Sequence, residues 1–217
     1  MSDWSFLPEL ALGSVNSVLI FVLTLALSLP LGLLVYAGRV SPFKPLAWLV
    51  QFYISVMRGT PLMLQLMVVY FGPYYLFGIQ ISAAYRFYAV IIAFAINYAA
   101  YFAEIYRGGF QAIPVGQSEA AFVLGYSPAR TFFTIKLPQM FRTVLPSITN
   151  EVITLVKDTS LAFAISYAEM FTLAKQYAST TASMSPFIAA AVFYYVFNIV
   201  VALFMDWFEK RVSKYAI

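Results

Sequence analysis

The chain has 217 residues, of which 13 are Lys or Arg and 9 are Asp or Glu, so 10% are charged while 62% are hydrophobic. At a mean hydropathy of +0.82, a soluble fold of this size could not hide its apolar surface, because small domains keep a large part of their surface exposed. A soluble enzyme is excluded. The absence of Cys and His removes disulfides, thiol nucleophiles, imidazole bases and Cys/His zinc sites together. The net charge of +4 is scattered rather than clustered, unlike a nucleic-acid footprint. The sequence reads as an integral membrane protein.

A crossing helix needs about 20 mostly apolar residues. Leu10–Gly38 is uncharged and places the first span at Ser14–Tyr36. No basic residue precedes it and the run is too long for a signal-peptide core, so it does not read as a cleaved leader. Pro45–Met57 is uncharged but too short to cross alone. Its Leu46, Leu49, Val50, Tyr53, Ile54 and Met57 recur at helical spacing, with Gln51, Ser55 and Arg58 on another face. It reads as an interfacial helix broken at Arg58-Gly59-Thr60-Pro61, or equally as the start of a long kinked span.

The second span falls near Thr60–Phe77 and the third near Phe87–Ala103, where Ala89, Ala93, Ala100 and Ala103 form a small-residue stripe suited to close helix approach. A fourth span, Thr143–Ile165, is interrupted by charges, and a fifth lies within the uncharged run Gln176–Met205. No repeat of solenoid period and no low-complexity tract appears. Five spans and one domain, 1–217, are expected.

Positive charge orients the chain. With the N-terminus outside, Arg39, Lys44, Arg58, Arg107, Arg130, Lys136, Arg142, Lys210, Arg211 and Lys214 are cytoplasmic, as is the C-terminus. Only Arg86 and Lys175 then lie outside, and Lys157 falls within a span. The longest loop, about 104–142, is thereby cytoplasmic.

That loop carries Glu119-Ala120-Ala121, three residues, Gly125, nine residues, then Ile135-Lys136-Leu137-Pro138. It resembles at every fixed position the EAA signature of the membrane subunits of ATP-binding cassette importers. Arg58-Gly59-Thr60-Pro61-Leu62, Glu104 with Arg107-Gly108, Gly116-Gln117 and the run Leu155–Leu161 resemble the polar amino acid permease branch. The likeness covers roughly residues 14 to 215 and implies a type I ABC importer permease core.

The residues supply a mechanical reason for the signature. Ala120 and Ala121 favour helix and are small, Glu119 suits the start of a helix dipole, and Gly125 can end the helix in a left-handed turn. Pro138 is expected to break the chain again, leaving a rigid knob between two breakers. The competing reading is a loop helix packed on the protein's own base. The resemblance implies the knob is a coupling helix, with Glu119, Ala120, Ala121, Gly125, Ile135, Leu137 and Pro138 serving the ATPase contact. The chain lacks G-x-x-x-x-G-K-[ST], so it does not cradle ATP phosphates itself.

Charge inside a span is costly, about 2.5–3.5 kcal/mol for Asp, Lys or Arg at a helix centre on insertion scales. Glu151 and Asp158 are seven residues apart and share a face, while Lys157 points about 100° away. Asn97 and Glu104 repeat the seven-residue spacing on the third span. All five are candidate substrate ligands. The alternatives are a structural Lys157–Asp158 pair, a local Glu104–Arg107 pair and, for Asn97, helix-to-helix bonding.

Three function classes follow. An ion-gradient transporter usually carries repeated halves in one chain, and none is visible. A membrane enzyme without His or Cys would depend on carboxylates, Lys, Tyr or Ser/Thr. The resemblance favours a non-enzymatic permease subunit of an amino acid importer in the bacterial inner membrane. It implies two partner ATPases carrying ATP-Mg, a second permease subunit (identical or paralogous), an extracytoplasmic binding protein and surrounding lipid. The intramembrane charges sum to −1, which favours arginine, lysine or histidine, with glutamine or another polar neutral amino acid next. No cofactor, metal or nucleic acid is expected on this chain.

Overall fold

The computed structural model describes residues 4–213, so the Lys214 expected on the cytoplasmic side lies outside the described residues. Among them every regular element is helical. The order is α1 (Leu7–Arg39), α2 (Lys44–Gly59), α3 (Leu62–Phe77), α4 (Tyr85–Gln111), α5 (Gly116–Val123) and α6 (Pro128–Thr131), then a π-turn (Phe132–Lys136). There follow α7 (Leu137–Asp158), a 3-10 turn (Thr159–Ile165), α8 (Met170–Thr181) and α9 (Ser185–Ser213).

α4 is the central element. The predicted stripe Ala89, Ala93, Ala100 and Ala103 is fully buried, and Phe94, Phe102 and Tyr106 join it in the interior. α1 lies along α4 in the most extensive helix pairing of the fold, and its buried face mixes Leu10, Ile20 and Phe21 with the small or polar Gly13, Ser17, Thr24, Ser28 and Gly32. A Cβ on Gly32 would come within 2.8 Å of the Phe102 Cβ, so glycine is what permits that approach. Outward faces of α1 and α9 remain apolar, with Leu12, Leu34, Tyr195 and Leu203 well exposed. Such surface suits lipid.

By length and apolarity, α1, α4 and Ser185–Val212 are each able to cross a membrane, and α2 with α3 makes a fourth candidate if counted as one broken span. α2 and α3 meet at 112°. The break falls at the expected Thr60-Pro61, both in extended conformation. α7, the expected fourth span, is 22 residues long, about 33 Å at 1.5 Å per residue, but is too polar to stand among the apolar spans.

The helices run further than the expected spans: α4 continues to Gln111 and α7 begins at Leu137, so residues 104–111 and 137–142 are helical and the connection between the two helices is 112–136. Pro138 sits at the start of α7, directly after the π-turn, so the helical path continues through it and the chain is not broken there. Gly125 does adopt the left-handed conformation, at φ +74°.

Candidate functional site

The bend between α2 and α3 builds one wall of a cavity. Extended Thr60 and Pro61 leave backbone carbonyls without helical partners, and Gln65 gathers them. Its amide nitrogen lies 3.0 Å from Met57 O, 3.1 Å from Thr60 O and 2.8 Å from Thr60 Oγ1. Asn97 on α4 completes the clamp, donating to Met57 O at 3.1 Å and to Gln65 Oε1 at 2.8 Å. The corner is thus pinned to the central helix by two buried amides.

Against this corner α7 turns Glu151, Thr154 and Asp158. Together with Thr60, Pro61, Leu62, Asn97, Tyr98, Tyr101 and Leu161 they line a cavity of ≈ 290 Å³, near the small end of the roughly 300–1,000 Å³ usual for small-molecule sites. The lining is rich in acceptors. Tyr98 donates to Asp158 Oδ2 at 2.7 Å, and Thr154 donates back to Asn150 O at 3.0 Å. Both hydrogens of the Asn97 amide are engaged at the corner, which leaves its oxygen to offer the cavity.

Of the five candidate ligands, the structure brings Glu151, Asp158 and Asn97 to this cavity. Lys157 is exposed and absent from the lining, because adjacent residues on a helix diverge by about 100°. Glu104 lines a neighbouring cavity of ≈ 590 Å³ with Arg39, Gln51, Ile54, Ser55, Arg58, Gly59 and Tyr101. There it holds Arg39 in an ion pair, Arg107 at 3.1 Å and Arg58 at 3.6 Å. The local Glu104–Arg107 pair read from the sequence is present, inside a larger cluster.

Sequence reasoning missed Gln65 and Glu169. Glu169 is fully buried and caps α8 through the N–H groups of Phe171 and Thr172, both at 2.7 Å. It also accepts from Tyr194 on α9 at 2.9 Å and Ser17 on α1 at 3.4 Å. One carboxylate therefore ties three helices. A lone acid in the apolar stretch between Asp158 and Lys175 was the available signal.

The signature region forms a second surface. α5 spans Gly116–Val123, opens with Glu119 in its first turn and closes at Gly125, whose N–H returns to Phe122 O. Ala120 is exposed but Ala121 is packed inside, and the outward residues are Phe122, Val123 and Leu124, each more than 70% exposed. Ile135 lies in the π-turn, Leu137 and Pro138 in the first turn of α7, on the stem that follows the knob. Among the described residues no group of His, Cys, Asp and Glu is arranged to hold a metal.

Comparison with known proteins places the whole chain among transport components. The family described as "binding-protein-dependent transport system inner membrane component" matches residues 28–214. The arginine transport system permease protein ArtQ of Bacillus subtilis is 36% identical over 96% of this chain and 94% of its own. The L-cystine transport system permease protein TcyB of the same organism is 33% identical over 97% and 89%. The glutamate/aspartate import permease protein GltK of Escherichia coli O6:H1 is 32% identical over 97% and 98%. A crystal structure of an amino acid ABC transporter with histidines superposes at a TM-score of 0.86, with 32% identity and 95% of each chain covered. The MetNI methionine ABC transporter in an inward-facing form, at TM-score 0.74 and 18% identity over 98% and 99%, shares the fold.

Proposed function

The chain belongs to the family of binding-protein-dependent transport inner-membrane components, and from that premise we propose that it forms the pathway of an importer for cationic amino acids. It is a permease subunit of an amino acid ABC importer in the inner membrane and not an enzyme; ATP hydrolysis belongs to a separate subunit. Relatives of nearly equal identity are named for arginine, cystine and glutamate/aspartate, so their names do not choose the substrate. The cavity does.

The observation that carries the reading is the acceptor-lined cavity: two carboxylates and the Asn97 oxygen, with Lys157 outside. A side-chain guanidinium or ammonium satisfies several acceptors at once. A glutamate side chain would add a third negative charge beside Glu151 and Asp158, and like charges in a low-dielectric site repel strongly. Glu151, Asp158 and Asn97 are assigned to the substrate. Positive charge on the Arg39 and Arg58 side supports an outside N-terminus, a cytoplasmic C-terminus and five crossings, with α7 shielded as the polar fourth.

The residues 1–217 act as one permease domain. A polar path enclosed by so few helices calls for a second permease subunit beside the first. Two ATPases holding ATP-Mg seat on the exposed α5 knobs, and an extracytoplasmic binding protein delivers the amino acid. ATP binding draws the knobs together and opens the path outward, and hydrolysis resets it.

Uptake by the reconstituted complex tests the substrate assignment. Glu151→Gln should lower arginine uptake about tenfold, the value of one charge-assisted hydrogen bond, and glutamine uptake much less. Equal loss of both, or no loss, removes the support for a cationic substrate.

A further inference from the structure

The acid cavity offers few donors to the carboxylate of a zwitterion. Those of Asn97, Tyr98 and Thr154 are turned to protein acceptors, which leaves the Tyr101 hydroxyl and the backbone N–H groups at the start of α3, and no guanidinium or ammonium is in the lining. Donors lie in surplus next door. The ≈ 590 Å³ cavity shares Tyr101 with the acid cavity and is lined by Arg39 and Arg58. Its one lining acid, Glu104, is shared by Arg39, Arg107 and Arg58, so the cluster keeps an excess of positive charge.

Arg58 is the least engaged of the three. Its contact to Glu104 is 3.6 Å long and its side chain is 45% exposed, with the guanidinium 5.4 Å over the Tyr101 ring. One distant carboxylate oxygen cannot occupy five N–H donors, and the guanidinium fork fits a carboxylate bidentately. Along α4, Asn97, Tyr101 and Glu104 recur on one face. The step from the first to the last is about 10 Å at 1.5 Å per residue. An amino acid leaving the acid cavity along α4 passes Tyr101 and meets Arg58.

We propose that the Arg58 cavity is a second binding station, which takes the α-carboxylate of the amino acid as it leaves the acid cavity. The inference rests on the acid cavity being the substrate site. Arg58 holds the carboxylate while the net positive cluster repels a cationic side chain, so the station binds weakly, as a release step requires. Gln51 and Ser55 supply neutral acceptors for the ammonium.

Equilibrium binding of radiolabelled arginine and argininamide to the purified nucleotide-free complex tests this. Wild type should show two classes of arginine site differing at least about tenfold in Kd, with argininamide, which lacks the carboxylate, filling only the tight class. Arg58→Gln should abolish the weak class and Arg58→Lys should weaken it. Ser55→Phe, which fills the cavity without touching the ion cluster, should abolish it too. A single class in wild type, a weak class that persists in Arg58→Gln, or one that takes argininamide equally well would overturn the station. So would a weak class present only when anionic lipid is removed, since the cavity would then be a lipid headgroup site. Glu151→Gln should weaken the tight class; if it does not, the acid-cavity reading falls, and the station falls with it as a step on that path.

Discussion

Gln65 shows how much a single buried amide holds at the residue scale. It satisfies carbonyls freed by the Thr60-Pro61 break and accepts from Asn97, so Gln65→Leu leaves several buried polar groups unpaired. Each such group costs about 1–3 kcal/mol. The variant should lower the thermal midpoint of the purified complex by several degrees; an unchanged midpoint would show that the clamp does not hold the corner. Gln65 was not legible in the sequence, because an amide in an apolar run is marked only by its polarity and its partners are set by a bend no periodicity reveals. Glu151 and Asp158 were legible from their seven-residue spacing. Lys157, read from the sequence as pointing about 100° from the two acids, is exposed and outside the cavity lining, and whether it would still reach the substrate depended on a bend or neighbouring helix that spacing does not give. Glu104 was marked by its charge, but its three guanidinium partners come from α1, α2 and α4, a meeting that only tertiary structure supplies.

Among the elements, α5 has the sharpest test. Its exposed Phe122, Val123 and Leu124 make an apolar knob, and the chain leaves it through Gly125 at φ +74°. A β-branched residue in that conformation is strained by roughly 1–2 kcal/mol or more. Gly125→Val should insert normally yet lose binding-protein-stimulated ATP hydrolysis and uptake together. Normal uptake with full stimulation would remove α5 as the coupling element. The knob itself could be read from the signature spacing and from glycine as a stop. Which alanine faces outward could not: Ala120 and Ala121 are equivalent as letters, and only the packing of α5 on its stem turns Ala121 in. The corner between α2 and α3 was similarly visible as a breaker and ambiguous as an angle, since proline ends a helix without fixing where the chain goes next.

For the whole molecule, α4 links the two surfaces. It carries Asn97, Tyr98 and Tyr101 at the acid cavity and Glu104 and Arg107 at the cation cluster, and it continues to Gln111 before the connection that holds α5. A rigid displacement of the knobs therefore reaches the cavity through one continuous helix. The chain has no Cys, so Ser127→Cys gives a unique label on the exposed turn before α6. In a complex with two copies of this chain, the distance between the two labels should shorten when ATP binds and recover after hydrolysis; a constant distance during turnover would count against alternating access. The most direct test of the acid cavity omits the binding protein, whose own selectivity could mask that of the permease. Equilibrium binding of arginine, glutamine and glutamate to the purified membrane complex should rank arginine tightest and glutamate weakest, with the ranking collapsing when Glu151→Gln and Asp158→Asn are combined. Glutamate binding as tightly as arginine, or a ranking untouched by the double substitution, would contradict it.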